Sequence, residues 1–258
     1  MRIGIIGAGR IGGGIARQLT AAGHQVCVSF SRDPSSLERL ADELGPRASA
    51  GSPAESVEFG DVVVVSVPWS LVPDAIAQVG TFGDVIVIDT TNQFGSSMPP
   101  KGQTAAQFNA SRMAGSRYTK SFNTLTSAFQ AEAAARAAES RVVQWLCGDD
   151  SAAKKIVSSL IVDAGFVPAD LGGTAGCAVM EAPRRAGAVY GEEYRAPGAG
   201  RRRGRRGRAH RATHPAHTAL RMTRRAEPTT STTSTAASRR SAASSPRMRP
   251  QPHACRRS

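Results

Sequence analysis

Apolar positions along the first three quarters of the chain switch between the spacing of strands and the spacing of helices. "RIGII" at Arg2–Ile6 carries Ile3, Ile5 and Ile6 as a short buried strand does. Ile11, Ile15 and Leu19 then recur at helical spacing, and Gly23 offers a C-terminal stop. Gln25–Phe30 reads as a second strand, and Ser35–Leu44 as a helix with Leu37, Leu40 and Leu44 on one stripe. "GDVVVVSVPW" at Gly60–Trp69 and "DVIVIDTTN" at Asp84–Asn92 are nearly continuous apolar runs, the mark of strands buried on both faces of a parallel sheet. Leu71–Val79 and Ala105–Met113 fit helices, Arg117–Leu125 a strand and turn, and Ser127–Ala138 an alanine-rich helix. Arg141–Asp150 reads as a strand ending on an acidic turn, Ala152–Ala164 as a helix, and "FVPADLGG" as a last short strand. This alternation predicts an α/β fold, a doubly wound Rossmann-type, mostly parallel sheet that takes its ligand across the carboxyl ends of the strands.

The first turn sharpens that expectation. Gly7-Ala8-Gly9-Arg10-Ile11-Gly12 has GxGxxG spacing and stands between a predicted strand and a predicted helix, with a further strand behind it. In such a turn Gly7 permits the tight bend, Gly9 lets backbone approach a pyrophosphate, and Gly12 allows the helix to pack closely. The helix directs its free N–H groups at the phosphates. An NAD-binding version places an acid at the end of the second strand for the ribose hydroxyls. Here that strand ends Ser29-Phe30-Ser31-Arg32. A hydroxyl beside a permanently charged, forked guanidinium suits a 2′-phosphate, so NADP is the expected cofactor. Two alternatives stay open: Arg32 as a solvated turn residue ahead of Pro34, and Asp33 as its neutralising partner or a ribose ligand.

Three further groups fall at predicted strand ends: Val67-Pro68-Trp69, Thr90-Thr91-Asn92 and Phe122-Asn123-Thr124. Trp69 could stack near a cofactor ring or simply pack. Asn92 and Asn123 could bind a ring amide or carbonyl, or serve as turn residues.

Composition divides the chain at about residue 196. The net charge of +13 arises in residues 196–258, which hold sixteen Arg, one Glu and neither Lys nor Asp. Residues 1–195 carry 17 basic and 19 acidic side chains, an ordinary globular balance that argues against nucleic acid for this part. No apolar run approaches the length of a membrane span. Cys27, Cys147, Cys177 and Cys255 form no CxxC pair and no metal-ligand spacing. Cys27 and Cys147 fall in strand-like runs and read as core thiols, which fits a reducing cytoplasm and no metal.

"IGIIGAG.IG", the "SR" after strand two, "VPW" and "CGDDSAAKKIVSSLI" at Cys147–Ile161 resemble the NADPH-dependent coenzyme F420 reductases and their wider family of NADP oxidoreductases. The resemblance runs to about Arg195. It implies that Gly9, Arg10, Ile11 and Gly12 hold the pyrophosphate, Ser31 and Arg32 the 2′-phosphate, and Val67-Pro68-Trp69 border the nicotinamide. It also implies hydride exchange with a deazaflavin, coenzyme F420, as co-substrate. The lysine that family members can carry after "SR" is missing here, where Asp33-Pro34-Ser35-Ser36 follows.

The residues also exclude chemistries. His24 is the sole histidine before residue 196 and sits in a predicted helix-to-strand turn, and no Tyr-x-x-x-Lys pair occurs. Lys120 reads either as a base or as a strand-edge lysine, and no catalytic residue is assigned. Hydride transfer between two stacked rings needs positioning more than acid–base groups. The expected function is therefore an NADP(H)-dependent oxidoreductase with a deazaflavin or flavin-like acceptor. An NADPH-binding sensor module and a reductase of another small acceptor are the alternatives, and a homodimer is left open.

Residues 196–258 contain no Ile, Val, Phe, Tyr or Trp and a single Leu, too little apolar surface to offset chain entropy, so a disordered tail is expected. A basic arm for nucleic acid, a solvated extension and a segment read out of frame are the competing readings. On any of them, ending the chain at Arg195 should leave the NADPH dissociation constant unchanged at about 0.15 M salt, as titration of both forms would measure.

Overall fold

The computed structural model describes residues 1–95, 98–185, 187–195 and 223–224. Eight strands form one sheet in the order β3-β2-β1-β4-β5-β6-β7-β8. These are β1 (Arg2–Ile6), β2 (Gln25–Ser29), β3 (Ala48–Ala50), β4 (Val62–Val65), β5 (Ile86–Asp89), β6 (Arg117–Ser121), β7 (Val143–Gly148) and β8 (Val167–Asp170). All neighbours pair parallel except β6 and β7. The doubly wound, mostly parallel sheet is therefore as expected. A two-residue antiparallel pair joins β9 (Tyr194–Arg195) to β10 (Thr223–Arg224). The disorder expected for residues 196–258 otherwise lies outside the described residues.

Strand alternation divides the apolar residues between two layers. Val62, Val64, Ile86 and Ile88 face the cluster built with α1 (Arg10–Ala21), α2 (Ser35–Leu44) and α7 (Ser151–Asp163). Val63, Val65 and Val87 face the opposite cluster, with α4 (Val72–Val79) and α5 (Ala105–Arg112). Such two-sided burial is why these strands read as unbroken apolar runs.

Several helices begin where their sequences provide a cap. Thr104 and Gln107 form a reciprocal capping box on α5, and the Thr126 hydroxyl caps α6 (Ser127–Ala134). Ser52 and Glu55 do the same for α3 (Pro53–Phe59), with Pro53 at the first position. Neither β3 nor α3 was expected from apolar spacing. β3 is three residues long and mostly exposed, so it has no apolar run to show. The Ser-x-x-Glu box was the legible signal for α3. The helix expected to reach Ala138 stops at Ala134, and a 3₁₀ turn follows at Ala138–Ser140.

Cys147 is not a free core thiol. It pairs with Cys177 in a disulfide across a Cα–Cα distance of 6.0 Å, linking β7 to a 3₁₀ segment at Thr174–Met180. Their separation of 30 residues carries no spacing signature, which is why the pairing was not legible. Cys27 is buried and free. No helix among the described residues is long and apolar enough to cross a membrane.

The sheet also buries charge. Asp89 and Lys120 are register partners on β5 and β6, and both side chains are wholly inaccessible. Lys120 Nζ lies 3.3 Å from Asp89 Oδ2 and donates to the Thr91 carbonyl at 2.7 Å. Tyr118 Oη donates to the same carboxylate oxygen at 2.5 Å and Asn109 Nδ2 at 2.9 Å, while the Thr91 N–H reaches Oδ1 at 2.7 Å. Burial pushes the Asp89 pKa up, but the Lys120 ammonium and these three donors bring it below its ordinary value. Lys120 is thus neither a strand-edge lysine nor a base open to a ligand.

Lys120→Met should cost about 3–5 kcal/mol of unfolding free energy in a urea titration, because it leaves a buried carboxylate without its cation. The Asp89 contribution to stability should be complete above the unfolded carboxyl pKa of about 3.9 and fade as pH falls through the lower folded value. Asp89→Asn should remove that part of the acid limb in a pH series of unfolding curves.

Candidate functional site

The chain leaves β1 towards β2 on one side and later returns to β4 on the other, so a crevice opens between the β1 and β4 ends. Gly7 has φ +100°, and a Cβ there would lie 2.4 Å from the Ser66 carbonyl oxygen. A Cβ on Gly12 would stand 2.0 Å from the Gly7 carbonyl oxygen. Both glycines are therefore required by the turn itself. Gly9 differs: its φ is −72° and a Cβ would meet nothing within 4 Å. No side chain caps α1 at Gly9 and no acid stands in its first turn, so the N–H groups of Arg10, Ile11 and Gly12 begin the helix without a side-chain acceptor. The turn has a positive end and open space beside Gly9. A pyrophosphate fits that combination.

At the end of β2, Phe30 takes a left-handed φ of +58°. Ser31 Oγ accepts from the Asp33 N–H at 3.2 Å and shares a hydrogen with Ser36 Oγ at 2.7 Å. Asp33 does not turn to Arg32. Its carboxylate accepts from Ser35 Oγ at 2.8 Å and pairs with Arg39 at 2.9 Å, and these contacts hold its pKa below the ordinary value. Arg32 is exposed and makes no hydrogen bond or ion pair among the described residues. Its guanidinium remains available at the strand end.

Beyond β4, Val67 is buried, Pro68 exposed and Trp69 buried, with the indole 6.3 Å from the Phe108 ring. The Arg112 guanidinium lies 3.8 Å from the Phe108 centroid and 5.6 Å from that of Trp69. Trp69 belongs to the wall of the fold, and Pro68 presents the exposed surface of the three.

Asn92 and Asn123, at the ends of β5 and β6, bind one another. Asn92 Nδ2 donates to the Asn123 carbonyl at 2.7 Å, and Asn123 Nδ2 to Asn92 Oδ1 at 3.1 Å. The same two side chains hold the segment after the 3₁₀ run, through Asn123 Nδ2 to the Met180 carbonyl at 2.6 Å and the Ala182 N–H to Asn92 Oδ1 at 3.2 Å. Between these contacts Glu181, 1% exposed, accepts the Ala105 and Ala106 N–H groups at the start of α5. Spacing offered no sign of this clamp, since a buried glutamate in a loop has no sequence signature. Both carboxylates of the "CGDD" motif are likewise structural. Asp150 caps α7 and pairs with Arg117 at 2.6 Å, which holds its pKa far below the ordinary value, while Asp149 anchors Thr174.

The structure thus brings Gly7–Gly12, Ser31-Arg32 and Pro68 to neighbouring strand ends, with the two asparagines further along the same edge. An open groove of about 900 Å³ runs instead between α1 and α6, lined by Gly14, Gln18, Ala128 and Ala131. Arg10 is the one residue of the turn that reaches it.

These features define the class: a doubly wound dinucleotide-binding domain with its crevice at the β1–β4 switch point. The family described as NADP oxidoreductase, coenzyme F420-dependent, matches residues 2–93, and the chain belongs to it. A hypothetical protein of Sinorhizobium meliloti is 30% identical and superimposes with a TM-score of 0.64, over 73% of this chain and 93% of that one. A solved structure from Arthrobacter, described as a candidate F420-dependent NADP reductase, shares the fold at 22% identity and a TM-score of 0.58, over 68% of this chain and 86% of that one. Rat metalloreductase STEAP3 is 28% identical over 181 residues, which are 70% of this chain. The chain spans 36% of the length of that curated relative.

The two kinds of glycine should separate in experiment. Gly7→Ala should lower the melting temperature, because alanine resists a positive φ and meets backbone. Gly9→Val should melt close to the unsubstituted protein yet lose nucleotide binding. Thermal scans with and without NADPH would measure both.

Proposed function

We propose that this chain binds NADP(H) across the β1–β4 crevice and moves a hydride between the nicotinamide and a deazaflavin of the coenzyme F420 type, or a flavin-like ring. The observation that carries the reading is a pair of features that packing does not require. Gly9 has room where nothing in the chain requires it, and Arg32 is charged, exposed and unpaired among the described residues. Both sit where a pyrophosphate and a 2′-phosphate would lie.

The residues divide the task by position. The first-turn N–H groups of α1 face the diphosphate, with Arg10 exposed beside them. Ser31 and Arg32 receive the 2′-phosphate, the guanidinium offering the forked, charge-assisted donors. Val67 and Pro68 border the ring, with Trp69 behind them. Asn92 holds the edge in shape through its bonds to Asn123 and Ala182. NADPH, when bound, would supply the hydride with its electron pair, and the acceptor ring would take its matching proton from water. The chain contributes alignment.

The name of the rat relative supports a second acceptor class, a metal ion. A matrix of NADPH or NADH against oxidised deazaflavin, flavin and ferric chelate, followed at the nicotinamide absorbance, separates the readings. Binding without oxidation in every cell would leave a nucleotide-sensing module. Arg32→Ala should weaken NADPH about ten- to a hundredfold while leaving NADH nearly unchanged. Equal loss of both nucleotides would remove the 2′-phosphate from Arg32.

A further inference from the structure

Two polar atoms at the carboxyl end of β6 are left without partners among the described residues: Asn123 Oδ1 and Thr124 Oγ1. Asn123 is 4% and Thr124 2% exposed. The Asn123 amide cannot be turned over to relieve this. Its Nδ2 donates to two acceptors, Asn92 Oδ1 and the Met180 carbonyl, and a flip would set Oδ1 against both. Asn92 is fixed in turn, since its Oδ1 accepts the Ala182 N–H and its Nδ2 donates to the Asn123 carbonyl. The unpartnered atom on Asn123 is an acceptor by necessity.

The two residues are also held rigidly. Phe122, just before them, has the left-handed φ of +58°. Gln130 Nε2 donates to the Phe122 carbonyl at 3.0 Å and to the Leu125 carbonyl at 2.9 Å, bracketing the pair from both sides. The Thr124 carbonyl accepts the Gly191 N–H at 2.8 Å, which commits its backbone and leaves its hydroxyl. Backbone strain held in place by surrounding bonds, next to buried polar atoms that lack partners, is a pattern of sites prepared for a ligand.

We infer that Asn123 Oδ1 and Thr124 Oγ1 form a subsite for an amide or imide group on the ring held at this edge. The ligand N–H donates to Asn123 Oδ1, and its adjacent carbonyl accepts from the Thr124 hydroxyl. A ring bearing only carbonyls would meet Asn123 Oδ1 lone pair to lone pair. The inference rests on the proposed nucleotide site and deepens it. Two sources share the chemistry: the primary carboxamide of the nicotinamide, and the imide N–H of a deazaflavin or flavin pyrimidinedione.

The ligands can be altered as well as the protein, so the test does not hang on a variant folding. NADPH is compared with reduced 3-acetylpyridine adenine dinucleotide phosphate, in which a methyl replaces the carboxamide NH₂. Riboflavin is compared with N3-methylriboflavin as acceptor. Removing the relevant N–H should raise the dissociation constant or the KM about tenfold in the unsubstituted protein. Thr124→Val, which takes the hydroxyl away from the ligand carbonyl, should weaken both members of the assigned pair about tenfold, and Thr124→Ser should restore them. A difference in the nucleotide pair assigns the subsite to the nicotinamide, and one in the flavin pair assigns it to the acceptor. Normal NADPH binding with no difference in either pair, or constants unchanged in Thr124→Val, would overturn the subsite alone. Failure of the unsubstituted protein to bind NADPH would overturn the nucleotide site and the subsite together.

Discussion

Asp89 and Lys120 cannot be buried separately. Each charge in a dry interior carries a desolvation cost of several kcal/mol, and the partner on the adjacent strand makes it tolerable. The pair therefore locks β5 and β6 in register at the point where both strands end. Its hydrogen bonds extend to the Thr91 carbonyl and N–H, which sets the path of the chain into Asn92. Asn92 then aligns Asn123, and the two amides hold Met180 and Ala182. One buried ion pair thus lies at the root of the polar scaffold at the β5 and β6 ends of the sheet. The nucleotide side is built differently, from glycine backbone and a helix end, and needs no buried charge.

The difference between those two halves explains what could be read in advance. The glycine turn and its flanking strand and helix are local, within the first 21 residues, so spacing alone exposes them. The strands rich in valine and isoleucine are equally plain, because two-sided burial writes itself as an unbroken apolar run. Asp89 and Lys120 stand 31 residues apart, and each looks ordinary in its own strand. Lys120 in "YTKSFN" could not be placed until β6 was set beside β5. The same holds for Glu181 and for Cys147 with Cys177, whose partners come from other elements. Trp69 was ambiguous for the opposite reason: its neighbours in sequence lie at the ligand edge, while its ring packs against Phe108 from α5.

The acidic "CGDD" turn carries a related lesson about motifs. It contributed to the family resemblance, yet in the fold its carboxylates cap α7, pair with Arg117 and anchor Thr174. A stretch can mark membership by stabilising a shared architecture without touching a ligand. The proposed nucleotide contact rests instead on a side chain with no internal work to do, Arg32.

The Arg32 side chain stands in solvent, and a side chain at Gly9 would meet nothing within 4 Å, so the fold depends on neither side-chain position. On the proposed reading, the portion of the surface that selects the nucleotide is thereby uncoupled from folding. Substitutions that shift preference between the two dinucleotides can accumulate there without drawing on the marginal stability that limits most proteins. Exchanging Arg32 for an acid is a surface change of this kind. The proposed acceptor edge would have no such freedom, because Asn92 and Asn123 also fasten the chain, and a new acceptor specificity would have to be found without breaking the clamp. On that reading, cofactor preference is the more evolvable of the two traits.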